Sequence, residues 1–290
     1  MRVAEGWKDY ELLDASGGER LERWGNYILV RPDPQVIWNT PKTDPRWRSA
    51  DAVYHRASSG GGSWEFRKRL PQEWKISWQG LQLYVTPTSF KHTGIFPEQA
   101  ANWAVYEELI RKAGRPIKVL NLFGYTGVAT LACLRAGASV CHVDASKGMV
   151  GQAKRNAELS GLRDKPCRWI VDDCMKFVQR EARRGSYYDA IIMDPPSYGR
   201  GPTGEIWKLE EGLAPLVDAC VSILSDRPLF FAINSYTTGF SPSAAGYLLA
   251  AAMKKYNGSV LAEEIGLPVT GSGLALPCGS TALFIERGLD

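Results

Sequence analysis

From residue 98 onward the chain switches repeatedly between two hydrophobic rhythms. Between Glu98 and Ala113 the apolar residues Ala101, Val105, Leu109 and Ile110 fall on one helical stripe, and Gly114 and Pro116 stop the pattern. Short, predominantly apolar runs at 117–123, 139–143, 168–171, 189–193 and 228–233 predict strands. Helical spacing fills the intervals at about 127–136, 147–160, 174–184, 208–224 and 242–255. Strands that alternate with helices imply right-handed crossovers and a parallel sheet covered on both faces. Two last strands, near 258–265 and 280–286, have no helix between them and predict a terminal antiparallel hairpin. The expected fold class is α/β, a doubly wound sheet of seven strands, mostly parallel.

Residues 1–90 have a different grammar. Alternating segments at Tyr27–Val30, Trp74–Trp78 and Leu81–Val85 are separated by Pro32, Pro34, Pro41, Pro45 and the run Ser58 to Ser63. They predict a small antiparallel β module with a flexible glycine-serine tip. The expected domains are therefore 1–90, a β module and candidate substrate contact, and 91–290, the α/β domain. Seven of the ten tryptophans lie in the first part. Trp64, Trp74 and Trp78, with Phe66-Arg67-Lys68-Arg69, offer rings and cations for unpaired bases and phosphates. Trp at every second or fourth strand position equally fills a small core, which leaves Phe66-Arg67-Lys68-Arg69 as the better candidate for outside contact.

Composition narrows the classes. Hydrophobic content is 44% and charged content 23%, ordinary values for a globular protein. No apolar run approaches the roughly 20 residues that span a bilayer, and the opening MRVAEGWKDY lacks the apolar stretch of a secretory signal. A cytoplasmic location without membrane contact is expected. The six cysteines are scattered, with no CxxC pair and no histidine cluster, so neither a disulfide framework nor a metal site is expected. A net charge of +4 is compatible with a nucleic-acid partner but does not argue for one.

Candidate chemistry gathers where the predicted strands end. The first strand runs into Asn121-Leu122-Phe123-Gly124-Tyr125-Thr126-Gly127, a turn whose glycines let backbone approach a ligand and open a helix with an anion-favouring end. The second strand ends in Asp144, twenty residues after Gly124, an offset common for an acid that accepts from a ribose diol. The third ends in Asp172-Asp173-Cys174 and the fourth in Asp194-Pro195-Pro196. Singly, Asp144 and Asp173 read equally well as helix caps. In register after a glycine turn, they predict a cofactor site beyond the strand ends. The turn has no Walker lysine and lacks the third glycine of a dinucleotide fingerprint.

KHTGIFPEQ (91–99), VLNLFGYTGVAT (119–130), VDAS (143–146), AKRNAELSGL (153–162), VDDC (171–174) and DPPSYGRG (194–201) occur in that order. Together they resemble the class I methyltransferases that use S-adenosylmethionine. More narrowly, they resemble the bacterial large-subunit rRNA group that modifies cytosine carbon or guanine nitrogen. The resemblance covers residues 85 to 290 and implies a Rossmann-like domain, S-adenosylmethionine as cofactor and RNA, ribosomal RNA above all, as partner. It assigns the methionine part to Phe123, Gly124, Tyr125, Thr126 and Gly127. The ribose falls to Asp144, and the adenine to Asp173 and the backbone at Cys174. Phe96 and Gln99 would close over the cofactor. Thr93, Asn121, Ala145, Ser146, Asn156, Asp172 and Asp194 lie in the same motifs and complete the expected site, with Asn156 also readable as a surface or capping residue.

DPPSYGRG has its own logic. Prolines end the strand and stiffen the residues after it, so an acid and a ring are held on a rigid loop. Methyl transfer needs a planar acceptor held in line, and a ring on such a loop can stack on a base. By analogy with related amine methyltransferases, Asp194 and the Pro195 carbonyl would accept from a target nitrogen, with Pro196 shaping the loop and Tyr198 stacking. Carbon methylation of cytosine would need a thiolate, which the resembled family carries after the fifth strand. This chain has Tyr236 there, so nitrogen is the expected acceptor. Cys278, in the predicted 267–279 loop, is the one candidate for a relocated nucleophile. Arg200 and Lys208 are candidate phosphate contacts. Methyl transfer to a protein side chain or small molecule remains open, as does a non-catalytic cofactor- or RNA-binding module.

Overall fold

The computed structural model describes residues 1–57, 61–88, 91–200 and 206–289. Two compact units emerge: Met1–Ala101 with Ile265–Cys278, and Asn102–Glu264 with the chain from Gly279 onward.

The first unit contains β1 (Arg2–Val3), β2 (Tyr10–Ser16), β3 (Glu19–Trp24), β4 (Tyr27–Pro32), helix α1 (Arg46–Ser49), β5 (Ala52–Arg56), β6 (Gly62–Phe66), β7 (Trp74–Trp78) and β8 (Leu81–Val85). Strands β2 to β6 form one sheet in sequence order, and β7 and β8 pair separately. The expected module is thus present, but it is not wholly antiparallel. β4 and β5 pair in parallel, since the intervening chain with α1 carries β5 back to the starting end. Of the glycine-serine run, residues 58–60 lie outside the described residues, and Gly62 and Ser63 belong to β6.

Leu13, Leu21, Val30, Trp47, Ala50 and Val53 form one core cluster of this unit. Trp24 and Trp78 are fully buried, and Trp74 nearly so. The indoles of Trp74 and Trp78 donate to the carbonyls of Trp24 and Glu5 at 3.0 and 2.8 Å, as buried indoles require. An ion pair is also buried: Arg31 Nε and Nη2 donate to the two carboxylate oxygens of Glu22 at 2.6 and 2.7 Å, and the Tyr10 hydroxyl adds a third bond at 2.8 Å. Arginine and the tyrosine bond hold the Glu22 carboxyl below its ordinary range although burial opposes it.

The second unit is built on helix α2 (Ala100–Lys112), which continues from a 3-10 turn at Pro97–Gln99. Next come β9 (Lys118–Leu122), α3 (Val128–Arg135), β10 (Ser139–Asp144), α4 (Lys147–Leu159), β11 (Cys167–Val171), α5 (Cys174–Arg183) and β12 (Ala190–Met193). A short arm of β13 (Tyr198–Arg200) and β14 (Ile206–Lys208) precedes α6 (Leu209–Val221), β15 (Phe230–Ser235), α7 (Pro242–Ala252), β16 (Gly258–Pro268) and β17 (Ala275–Glu286), the last two contributing their 265–278 portions to the first unit. The main sheet has eight strands in the order β1-β16-β17-β15-β12-β9-β10-β11, the seven expected plus β1 at the edge, with β17 antiparallel to β15. At the distal end of β16, Ile265 and Gly266 also pair in parallel with β1. Every residue of β12 and β15 is buried, which is why Ala190–Met193 and Phe230–Ile233 read as unbroken apolar runs.

β17 begins at Ala275 and β16 runs to Pro268, so most of the predicted 267–279 loop is strand and only 269–274 connects the two. Cys278 therefore stands in a strand. It is 4% exposed and its thiol donates to the Leu276 carbonyl at 3.3 Å.

Candidate active site

Register brings the strand ends to one rim. Leu122 pairs with Val143 on one side and Met193 on the other, Asp144 pairs with Val171, and Met193 with Ile233. The segments leaving β9, β10, β11 and β12 accordingly emerge along a single edge, where open α/β sheets bind ligands.

The turn after β9 is strained. Phe123 and Tyr125 take φ of 54° and 50°, and Gly127 87°, so two bulky residues adopt the left-handed region. Each costs on the order of 1–3 kcal/mol, and such strain persists only where the surroundings over-determine it. Here the ties are visible. Gly124 N–H donates to the Val143 carbonyl at 3.0 Å, and Tyr125 N–H donates to Asp144 Oδ2 at 2.9 Å. Asp144 Oδ1 accepts from Ser146 N–H at 2.8 Å. Each carboxylate oxygen thus has one backbone bond and lone pairs to spare. Burial pushes the Asp144 carboxyl above its ordinary range, and the Ser146 and Tyr125 amides partly offset this.

Beneath the turn is a buried polar chain. Asn121 Nδ2 donates to Thr130 Oγ1 at 2.9 Å, and Thr130 Oγ1 lies 3.0 Å from His142 Nδ1. The imidazole is flush with the turn: a Cβ on Gly124 would lie 2.4 Å from His142 Cε1. Burial lowers the His142 pKa to about 3, so the ring is neutral. Asn156 is fully buried and donates to the Thr126 carbonyl at 2.9 Å. It is neither a surface nor a capping residue. Asn121 and Asn156 hold the turn from behind, with their side chains at 3% and 0% exposure.

After β11, Asp173 caps α5, accepting from Lys176 N–H at 2.9 Å. Asp172 accepts from Asp173 N–H at 2.9 Å and pairs with Arg180. Cys174 is buried, which raises its thiol well above the ordinary value, while a bond from the Phe123 backbone opposes that shift. Asp144 and Asp173 both act on Cys174 electrostatically, so the glycine turn, the β10 acid and the β11 acid converge on one locality. Ala145 and Ser146 connect β10 to α4, where Ser146 caps the helix.

On the far side of β9, Asp194 is half-buried, Pro195 buried, and Pro196, Ser197 and Tyr198 exposed, Tyr198 by 54%. The sequence expectation of a bare loop after the prolines is incomplete: Tyr198 opens a two-stranded arm and pairs with Lys208. Lys208 also forms an ion pair with Glu211 at 2.7 Å, and the side chain of Arg200 lies outside the described residues. Trp207, which sequence reasoning missed, donates its indole N–H to the Pro196 carbonyl at 2.7 Å and lies against Phe123, with ring centroids 5.2 Å apart. The Ser197 and Thr237 hydroxyls are 2.7 Å apart. Thr237 belongs to the wall of a cleft of about 440 Å³, lined also by Leu209, Leu213, Thr238, Phe240 and Leu248.

Thr93, Phe96 and Gln99 fall in the first unit, Thr93 fully buried, Gln99 at 5% exposure and Phe96 half-buried against His92. Among the described residues no group of three or more His, Cys, Asp or Glu is arranged to hold a metal ion, and no helix is long and apolar enough to cross a membrane.

Residues 43–208, more than half of the chain, match the family model described as S-adenosylmethionine-dependent methyltransferase. The chain belongs to this family. A solved methyltransferase of the same description, from Agrobacterium tumefaciens, is 39% identical and superposes with a TM-score of 0.94, covering 99% of this chain and 93% of that one. Among curated proteins, the ribosomal RNA large subunit methyltransferase K/L of Magnetococcus marinus is 29% identical over 78% of this chain. Ribosomal RNA large subunit methyltransferase K of Neisseria meningitidis is 30% identical over 55% of it. This methyltransferase matches only 33% and 45% of the lengths of those two relatives.

The residues present fit S-adenosylmethionine. The turn is drawn so close to its supports that a Cβ on Gly127 would lie 2.7 Å from that of Ala153. Only glycine can then stand at this point, which lets the turn pack closely on α4. The Asp144 oxygens retain acceptor capacity for a diol.

Proposed function

We propose that this methyltransferase modifies a nitrogen of an RNA base, with ribosomal RNA the favoured substrate and a cytoplasmic setting. The observation that carries the reading is the exposed Tyr198 ring on a prolyl loop that opens with Asp194 on the cofactor rim. The names of the curated relatives support the substrate class.

When bound, S-adenosylmethionine supplies a methyl group activated by a sulfonium. The chain's own task is placement. Backbone from Phe123 to Gly127 receives the methionine part, Asp144 the ribose diol, and Asp173 with the Cys174 backbone the adenine. Asp194 and the Pro195 carbonyl accept from the target amine and orient its lone pair, while Tyr198 stacks on the base. The cleft lined by Leu209, Leu213 and Phe240 has room for a planar acceptor.

Two observations favour nitrogen over a pyrimidine carbon. Tyr236 follows β15 where the resembled carbon-modifying enzymes carry cysteine. Burial pushes the Cys278 thiol far above its ordinary value despite the opposing charge of Arg20, so no thiolate is available there. In the first unit, Phe66 is 54% exposed and Arg69 exposed, and both suit an unpaired strand.

The test is incubation with cofactor labelled on the methyl group, offered total RNA, ribosomal subunits and RNA-free cell protein. Label in RNA, released by digestion as an N-methylated base, is expected. Label confined to protein or small molecules overturns the substrate assignment.

A further inference from the structure

Two parts of the site must act together, the turn that receives the cofactor and the loop that presents the acceptor. They leave different strands, β9 and β12, and their separation sets the distance over which a methyl group travels. One side chain touches both. The Trp207 ring lies 5.2 Å from the Phe123 ring at 56°, and its indole N–H donates to the Pro196 carbonyl at 2.7 Å.

The surroundings hold this ring in place. A Cβ on Gly212 would lie 2.6 Å from Trp207 Cζ3, so α6 presents bare backbone to the indole. Trp207 stands opposite Gly199 in the β13–β14 arm, next to the Tyr198–Lys208 pair. The Leu209 N–H donates to the Ser197 carbonyl at 3.1 Å and ties the start of α6 to the same loop. Proline fixes φ at Pro195 and Pro196 but leaves the next peptide plane free to rotate. The bond from Trp207 to the Pro196 carbonyl fixes that plane, which aims Ser197 and Tyr198.

We propose that Trp207 is a positioning residue that locks the acceptor loop to the cofactor turn and thereby sets the in-line geometry of transfer. The inference rests on the methyl-transfer reading but not on the acceptor being RNA. Its consequence is a division of labour within one side chain. The N–H governs where the acceptor lies, and the ring face governs how well Phe123 and its turn are supported.

The experiment compares wild type, Trp207→Phe and Trp207→Ala on whichever acceptor fraction the wild type labels. Cofactor affinity is measured by calorimetry and folding by thermal melting. Trp207→Phe keeps a ring against Phe123 and loses the donor. It should lower kcat by about 10- to 100-fold, the scale of a misplaced reactant, with cofactor affinity within about twofold of wild type. Trp207→Ala should lower kcat as far and also weaken cofactor binding by about 5-fold or more. Trp207→Phe with wild-type kcat, or a kcat loss that merely follows a lowered melting temperature, overturns the proposal. A wild type that labels no RNA but labels another fraction refutes only the RNA assignment, and the Trp207 comparison proceeds on that fraction. A wild type that labels nothing refutes both.

Discussion

The Asn156 amide donates to the Thr126 carbonyl at 2.9 Å, joining the middle of helix α4 to the strained turn after β9. Both groups are buried, so removing the donor leaves a carbonyl without its partner. Asn156→Ala should cost about 1–3 kcal/mol of stability. It should also weaken cofactor binding severalfold without touching the ligand. Thermal melts and calorimetry on the same preparation measure both effects.

The contact between Gly124 and His142 predicts a compensating pair. Gly124→Ala places a methyl 2.4 Å from His142 Cε1 and 2.5 Å from Nδ1. The clash should cost about 1–3 kcal/mol and distort the turn. His142→Ala in the same chain removes the obstacle. The double variant should therefore be less destabilised than the sum of the single ones, as a double-mutant cycle would report.

The same histidine gives the fold an acid sensitivity. Burial lowers the His142 pKa from its ordinary 6.5 to about 3, and burial, with Arg31 and Lys91 adding to it, lowers that of His92 to about 4. Between these values and 6.5 the unfolded chain binds the protons that the folded one excludes. The stability these groups confer is full above pH 6.5 and is lost as pH falls. The slope is about 1.4 kcal/mol per pH unit for each group. Chemical unfolding between pH 5 and 6.5 should show it, and His142→Asn should remove one group's share.

Much of this site could be read from the chain alone, and the parts that could not have physical reasons. β9, β10, β12 and β15 are buried on both faces and read as predominantly apolar runs, so the positions of Gly124, Asp144 and Asp194 followed from them. In the first unit, charge sits inside the sheet: Glu22 is fully buried with Arg31, and a bulge between Leu12 and Asp14 breaks the alternation of β2. No hydrophobic pattern marks such strands. The β13–β14 arm is three residues a side and joined by a glycine-containing segment, so nothing local tied Trp207 to Pro196. The roles of Asn121 and Asn156 were hidden for the opposite reason. They lie in motifs that the family resemblance assigns to the cofactor, yet the bonds from Asn121 to Thr130 and from Asn156 to Thr126 run to the protein's own turn and its supports.

Carbon chemistry makes its own prediction. With Cys278 buried and its thiol held protonated, Cys278→Ala should leave methyl transfer within about twofold of wild type at pH 7. A methylated pyrimidine carbon among the products, lost in that variant, would reverse the assignment of the acceptor.

The central claim is that the strand-end acids grip the adenosyl part of the cofactor, and Asp144 bears most of that claim. Calorimetric titration of S-adenosylhomocysteine into wild type and Asp144→Ala, each checked for folding by its melt, tests it directly. Charged hydrogen bonds are worth about 1.5–3 kcal/mol each, so the loss of two to the ribose should weaken binding by at least about 100-fold. An unchanged affinity in a folded Asp144→Ala protein would contradict the account.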